Sequence, residues 1–170
     1  AGKGIIGGTS NFFISDDDGY GFNFDQGGGI IYPGNAAGGV VDNTVDFGHS
    51  SYAWKDIYYE GSISDTSDER FKENIEDTDL GLDFITDLRP VMFNKKSDKF
   101  LTDYDESRKR YGIIAQEVIE VLKNHDKDGK FWGIDTSNED RYHADYIQFI
   151  APLIKAVQEL SAKVEALENA

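Results

Sequence analysis

Ser67 and Lys72 stand five residues apart in the hexapeptide Ser67-Asp68-Glu69-Arg70-Phe71-Lys72. A hydroxyl and a primary amine form a minimal nucleophile-and-base pair, in which a neutral lysine takes the serine proton and the oxygen attacks a carbonyl. The spacing constrains the backbone. Helical neighbours lie three or four residues apart, so an offset of five brings the side chains together only where the chain turns or frays between them. The base imposes a second condition. An ordinary lysine, with a pKa near 10.4, is neutral in only about one copy in a few thousand at pH 7, and bringing such an amine close to neutrality takes about 4 kcal/mol, usually through burial. Asp68, Glu69 and Glu73 would stabilise the charged amine if they faced it, so burial has to win. A segment near a surface helix start does not readily supply that burial, whereas packing between subunits does. The plain alternative is an N-capped helix whose Ser, Asp and Lys are solvated.

The pair sits where the composition breaks. Residues 1–66 hold 14 of the 18 glycines, two lysines and no arginine, and residues 67–170 hold the other 15 basic residues, which predicts two regions with different physics. In the first, short β-type runs over 29–32, 39–47 and 52–59 are separated by the turn clusters Asp16-Asp17-Asp18-Gly19, Pro33-Gly34-Asn35 and Gly48-His49-Ser50-Ser51. Tyr52, Trp54 and Tyr58 alternate, so one strand face would be aromatic. Sixty-six residues this rich in glycine are too few for a self-sufficient core, so other subunits are expected to complete it. A flexible linker fits poorly with so many Ile, Val, Phe and Tyr residues.

The second region reads as mixed α and β. Thr66 and Glu69 fit a capping box opening a short helix toward Ile75, and Thr78 could cap a helix over 79–88 that Arg89-Pro90 ends. Residues 91–94 and 111–114 read as strands, with the charged stretch 95–110 between them as a loop or exposed hairpin. Residues 115–123 form an amphipathic helix, and 131–134 and 141–143 are short strand candidates. At the end, Ile150, Leu153, Val157, Leu160, Val164 and Leu167 alternate spacings of three and four, the seam of a coiled coil over about 146–168. The same stripe could instead pack on its own domain. Strand number stays open: Ile or Val at one seam position with Leu at the other suits two strands, whereas Ile147 and Ile154 widen the stripe for a third helix. Pro152 is tolerable near the helix start.

Four motifs in order carry a resemblance: Ser67-Asp68-x-Arg70-x-Lys72-x-x-Ile75, Leu88-x-Pro90-x-x-Phe93, Gly112-x-Ile114-Ala115-Gln116-Glu117-Val118 and Lys155-Ala156-Val157-Gln158-Glu159-Leu160. Together they resemble the C-terminal intramolecular chaperone of phage tailspikes and tail fibres, the self-cleaving module of endosialidase tailspikes, neck appendages and L-shaped tail fibres. A related module occurs in the myelin regulatory factor. The resemblance covers nearly all of residues 67–170, and the stretch from Val45 to Tyr58 looks like the strand unit that precedes this module in fibres. It implies an α+β architecture: an intertwined, Gly-rich β fibre segment over 1–66, then a small chaperone domain over 67–170 ending in a long coiled-coil helix. It implies a homotrimer whose chaperone part guides three chains together and is then released by cutting the Thr66-Ser67 bond. By position, Ser67 would be the nucleophile and Lys72 its base, with Arg70 or backbone N–H groups supporting the oxyanion. Residues 1–66 would stay in the virion tail fibre, and 67–170 would be released in the host cytoplasm during assembly.

Other signals are weaker. Asn124-x-Asp126-x-Asp128-Gly129 has the start of a calcium loop, but Asp135 stands where a bidentate Glu belongs and strand-like residues follow, so a tight turn is expected. His49, His125 and His143 are scattered, and Gly27-Gly28-Gly29 precedes no helix, so no metal and no cofactor is expected. With no cysteine there is no thiol chemistry. A net charge of -15 opposes nucleic acid or an anionic membrane surface as partner, no apolar run is long enough to insert in a membrane, and the first residues look like the start of an excised fragment. The expected partners are copies of the chain itself and, for the parent fibre, a host-surface receptor or glycan. The rivals are a non-catalytic trimerising adhesin tip and a fragment of a membrane-tethered transcription factor that uses the same module.

Overall fold

Apolar side chains from three separate stretches, Leu80 and Phe84, Val118 and Leu122, and Phe149, close on one another to form the main core. The computed structural model describes residues 12–15, 19–24, 29–35, 39–54, 56–94 and 107–170. It is mixed α/β with small sheets, and it divides into two compact units, Ala1–Trp54 and Lys55–Ala170. The Thr66-Ser67 bond lies inside the second.

In the first unit, β1 (Phe12–Ser15), β2 (Tyr20–Phe24) and β3 (Ile31–Asn35) form an antiparallel sheet in that order, with Phe12 opposite Phe24 and Phe22 opposite Pro33. The strand β3 runs through Pro33-Gly34-Asn35, where the sequence suggests a turn. The Pro33 carbonyl accepts from Val41 N–H at 3.2 Å, so its backbone faces away from β2 and its missing N–H leaves that ladder intact. The 39–47 run contributes a single bridge, Val40 to Gly34, rather than a strand. Residues Gly48-His49-Ser50-Ser51 do form the expected turn, closed by paired bonds between His49 and Tyr52 at 3.0 and 3.2 Å. Beyond it the 52–59 run is irregular. Phe47 stacks on Trp54 at 5.0 Å, no strand is formed over this run among the described residues, and Tyr52 and Tyr58 are exposed. The Asp16-Asp17-Asp18 part of the first turn cluster, the Gly27-Gly28 pair, residues 95–106 of the charged stretch and the chain's first residues lie outside the described residues.

The second unit follows the predicted order more closely. The helix α1 (Leu82–Asp87) ends at Leu88 before Arg89-Pro90, and β4 (Val91–Phe93) pairs antiparallel with β5 (Arg110–Gly112). The amphipathic α2 (Ala115–Asn124) buries Val118 and Leu122, four apart on one face. Then β6 (Ile134–Asp135) pairs with β7 (His143–Ala144), and a 3-10 turn over Tyr146–Phe149 leads into α3 (Ile150–Glu168). Phe84 is the centre of the core, with Phe149 stacked at 6.3 Å and Phe131 edge-on at 6.0 Å. Asn124 to Gly129 is a turn, with Asp126 and Gly129 at positive φ and Lys127 N–H bonded to Leu122 C=O at 2.8 Å.

The start of α1 departs from expectation. Thr78 makes a local turn, its hydroxyl accepting from Leu80 N–H at 3.3 Å, and the helix opens three residues later with Gly81 as its uncapped N-terminal neighbour. The donor at Leu82 is satisfied from 77 residues away: its N–H reaches Glu159 Oε2 on α3 at 2.8 Å. A Cβ on Gly81 would stand 2.6 Å from that oxygen, so the glycine lets the carboxylate approach. A carboxylate at a helix start satisfies an orphan donor and faces the positive end of the dipole.

Two faces of α3 therefore do different things. Pro152 and Ala156 are buried and Glu159 half-buried, so this side packs on the domain. The periodic stripe lies on another side and is exposed throughout: Val157 is 65% accessible and Leu160 50%. The stripe is thus not used to pack α3 on its own domain. Removing the remote cap, Glu159→Ala, is expected to lower the stability of the Ser67→Ala chain by about 1 kcal/mol, against about 3–5 kcal/mol for Phe84→Ala in the core. Urea denaturation followed by circular dichroism checks both; an unchanged midpoint for Glu159→Ala would remove the inter-helix cap from the account.

Candidate active site around Ser67 and Lys72

The chain reaches Ser67 through an irregular, exposed stretch over 62–67, passes the half-buried Asp68 and then makes a single 3-10 turn, Glu69–Phe71. Asp68 precedes the turn in an extended conformation (φ -73°, ψ 132°) and Lys72 leaves it extended (φ -123°, ψ 144°). Folded once and then released, the backbone carries the lysine back over the serine: Lys72 Nζ donates to Ser67 Oγ at 2.8 Å. The helix expected to run toward Ile75 is this one turn, and Asn74 follows at φ 52°. A longer α-helix would have put positions 67 and 72 on different faces.

Nothing in the turn is buried, so local hydrogen bonds hold it. Phe71 N–H bonds to Asp68 C=O at 3.1 Å, Lys72 N–H to Glu69 C=O at 3.0 Å, and Arg70 N–H to Asp68 Oδ1 at 2.9 Å. The cap is therefore Asp68, where the sequence pattern suggests Thr66. The signal is legible, since an aspartate bonding the backbone two residues on is a standard local turn. Arg70 also closes on Asp68: its Nε lies 3.1 Å from both carboxylate oxygens and its Nη2 is 2.6 Å from Oδ2. The guanidinium considered as oxyanion support is thus engaged by its neighbour. The Arg70 side chain and then its backbone N–H hold the Asp68 carboxyl below the usual carboxylate range.

Thr66, Ser67 and Lys72 are all exposed in the single chain. So are the apolar side chains beside them: Phe71 is 76% accessible and Ile75 63%. Elsewhere, Arg89 at the end of α1 makes a two-pronged pair with Glu117 on α2, with Nε to Oε2 at 2.9 Å. A shallow pocket beside that pair, lined by Leu88, Ile114, Val118 and Val121 among others, includes no residue of the 67–72 turn. The histidines sit apart: His49 Nδ1 accepts from Ser51 N–H at 3.0 Å, His125 Nε2 lies 3.0 Å from Asp87, and His143 is in β7.

Residues 67–127 match the Peptidase_S74 family model, described as chaperone of endosialidase. Over this segment, about a third of the chain, the sequence is similar to the intramolecular chaperones of that family. The match begins at Ser67 and takes in the first three of the four motifs; the fourth, on α3, lies beyond residue 127. No curated protein matches the chain.

The sign of the pH response follows from Asp68. A carboxyl whose pKa is lower in the folded turn than its ordinary value of 3.8 stabilises that turn above the ordinary value, and the contribution is lost as pH falls through the lowered one. In the Ser67→Ala chain, the Arg70 amide resonance is expected to hold constant from neutral pH down to about 4 and to move only in stronger acid. Asp68→Asn should abolish that acid movement; a titration unaffected by the substitution would contradict the cap.

Proposed function

We propose that this chain is an intramolecular chaperone that assembles three copies of a phage tail fibre or tailspike and then frees itself by cutting its own Thr66-Ser67 bond. The observation that carries the reading is the 2.8 Å contact between Lys72 Nζ and Ser67 Oγ, inside the segment where the family match begins. The heavy-atom distance suits proton transfer in either direction. In the ammonium form the lysine donates, and after losing a proton it accepts the serine hydrogen.

The reaction is an acyl shift followed by hydrolysis. Ser67 Oγ attacks the Thr66 carbonyl carbon while Lys72 takes the hydroxyl proton; a five-membered ring forms. The C–N bond breaks, the Ser67 nitrogen takes a proton back from the lysine, and the Thr66 acyl group is left as an ester on Oγ. Water then hydrolyses the ester, giving a Thr66 carboxylate and a chain that begins with Ser67. Neighbouring backbone N–H groups, and Arg70 if assembly frees it from Asp68, would stabilise the oxyanion.

Assembly gates the step. In one chain Lys72 is solvated, and so are Phe71 and Ile75 on either side of it. A neighbouring chain that covered these apolar groups would also exclude water from the amine and favour its neutral form. The α3 stripe supplies a surface for bringing chains together: six seam residues at coiled-coil spacing, facing away from their own domain. Residues 1–66 then remain as the intertwined fibre segment and 67–170 depart into the host cytoplasm. The parent fibre's receptor or glycan would be met by the part left in the virion.

Ser67→Ala and Lys72→Ala should each stay full length on denaturing gels, while the wild type divides into fragments whose masses place the cut after Thr66. Val157→Asp with Leu160→Asp should sediment as a monomer and stay uncut with the dyad intact. Efficient cutting by Lys72→Ala, or by the monomeric seam variant, would overturn the scheme. Full-length wild type that sediments as a trimer would instead favour the non-catalytic adhesin tip.

A further inference from the structure

We propose that Asp68 is a positioning residue of the self-cleavage reaction: its carboxylate, bonded at once to the Arg70 backbone N–H and to the Arg70 guanidinium, holds the one-turn fold that sets Lys72 on Ser67. The inference rests on the self-cleavage reading and assigns a role to a residue that touches neither reacting group.

The geometry leaves little else to do the work. The turn has three residues and buries none of them, and isolated helical turns are marginal because closing the first one fixes several dihedrals for few bonds. Two of its backbone bonds, Phe71 to Asp68 and Lys72 to Glu69, are the ones any such turn makes. The additional bonds all end on the Asp68 carboxylate: Arg70 N–H at 2.9 Å, Arg70 Nε at 3.1 Å to both oxygens, and Nη2 at 2.6 Å. The position of the carboxylate matters. Asp68 follows the nucleophile directly, so fixing its side chain against the residue-70 backbone orients the peptide that joins Ser67 to the turn. Lys72 begins the extended exit, so the same clasp sets where its Cα starts and whether its amine reaches Oγ.

Arg70 has an indirect part in this arrangement. With its guanidinium laid on Asp68, it stiffens the carboxylate that caps the turn, and it keeps that negative group occupied rather than free to pair with the Lys72 amine. A carboxylate paired with Lys72 would hold the amine in its charged form and work against the base. Arginine suits the task because its planar fork meets both carboxylate oxygens.

The test is the cleavage rate of full-length chain, followed by denaturing gel after assembly, with sedimentation run in parallel. Asp68→Ala should assemble normally and cut about fivefold to tenfold more slowly, the loss in turn population expected when an N-cap is removed. Asp68→Asn and Asp68→Ser keep an oxygen to accept from Arg70 N–H and should recover most of the rate. Arg70→Ala keeps the cap and should cut faster than Asp68→Ala. The proposal is overturned if Asp68→Ala cuts at the wild-type rate, if Asn or Ser is no better than Ala, or if Arg70→Ala is the slowest, which would place the guanidinium on the reacting carbonyl. Should Asp68→Ala fail to assemble, the Asn and Ser variants decide. Wild type that never cuts, or Ser67→Ala that does, would sink the self-cleavage reading as well; a wild type that cuts beside an equally fast Asp68→Ala sinks the Asp68 role alone.

Discussion

A lysine amine resting 2.8 Å from a serine hydroxyl five residues earlier is an unusual contact for so short a loop, and it depends on one turn of backbone. Were residues 67–72 a regular helix, the two groups would diverge around its circumference; were they a strand, they would separate by more than 15 Å or so of extended chain. The single 3-10 turn, entered and left in extended conformation, is the arrangement that closes the gap. It contains no core residue, so the contact rests on polar, solvent-exposed bonds. Such bonds select a conformation without adding much to global stability. On the proposed reading the turn sets the pair in each chain, and assembly would supply the dry surroundings that a lysine base needs.

The rest of the second unit leaves apolar surface open in the single chain. Its core is a tight aromatic and aliphatic cluster around Phe84, which fixes α1, α2 and the start of α3 relative to one another. With Glu159 reaching across to the first turn of α1, the inward side of α3 is committed to the domain. That commitment leaves the apolar stripe exposed among the described residues. On the proposed reading this stripe, exposed on a chain carrying a net charge of -15, is where copies of the chain would meet. The aromatic run around Tyr52, Trp54 and Tyr58 also has strand-like alternation and is exposed.

Much of the second unit was legible because its signals are local. The Arg89-Pro90 stop, the α2 periodicity and the apolar repeat of the last segment each depend on residues within one element; the first two appear where the pattern puts them, and the last segment is helical over Ile150–Glu168, with a 3-10 turn over Tyr146–Phe149 where the helix was expected to begin. The Ser67 and Lys72 pairing was legible as a condition, since an offset of five demands a turn. What escaped were features decided at a distance. Thr78 looks like the cap for α1, yet the donor is met by Glu159 from the far end of the chain, which moves the helix start from residue 79 to Leu82. Thr66 has the right partner at Glu69 for a capping box, but Asp68 is closer to the turn that forms and carries the stronger acceptor. In the first unit, β1 and β2 carry only weak strand patterns, while the stronger-looking runs at 39–47 and 52–59 form no more than isolated bridges among the described residues. Strand patterns announce a surface that wants pairing; they do not say whether the same chain provides the partner.

The central claim is that association, and not the fold of one chain, dries the Lys72 amine. An experimental structure of the assembled, uncut Ser67→Ala protein tests it directly through the solvent exposure of Lys72 Nζ and its distance from the residue-67 Cβ. The account predicts an amine enclosed by apolar groups of a neighbouring copy, with Phe71 and Ile75 covered alongside it, and still poised over position 67. An amine open to bulk water in every copy of the assembly, or swung away from position 67, would contradict it.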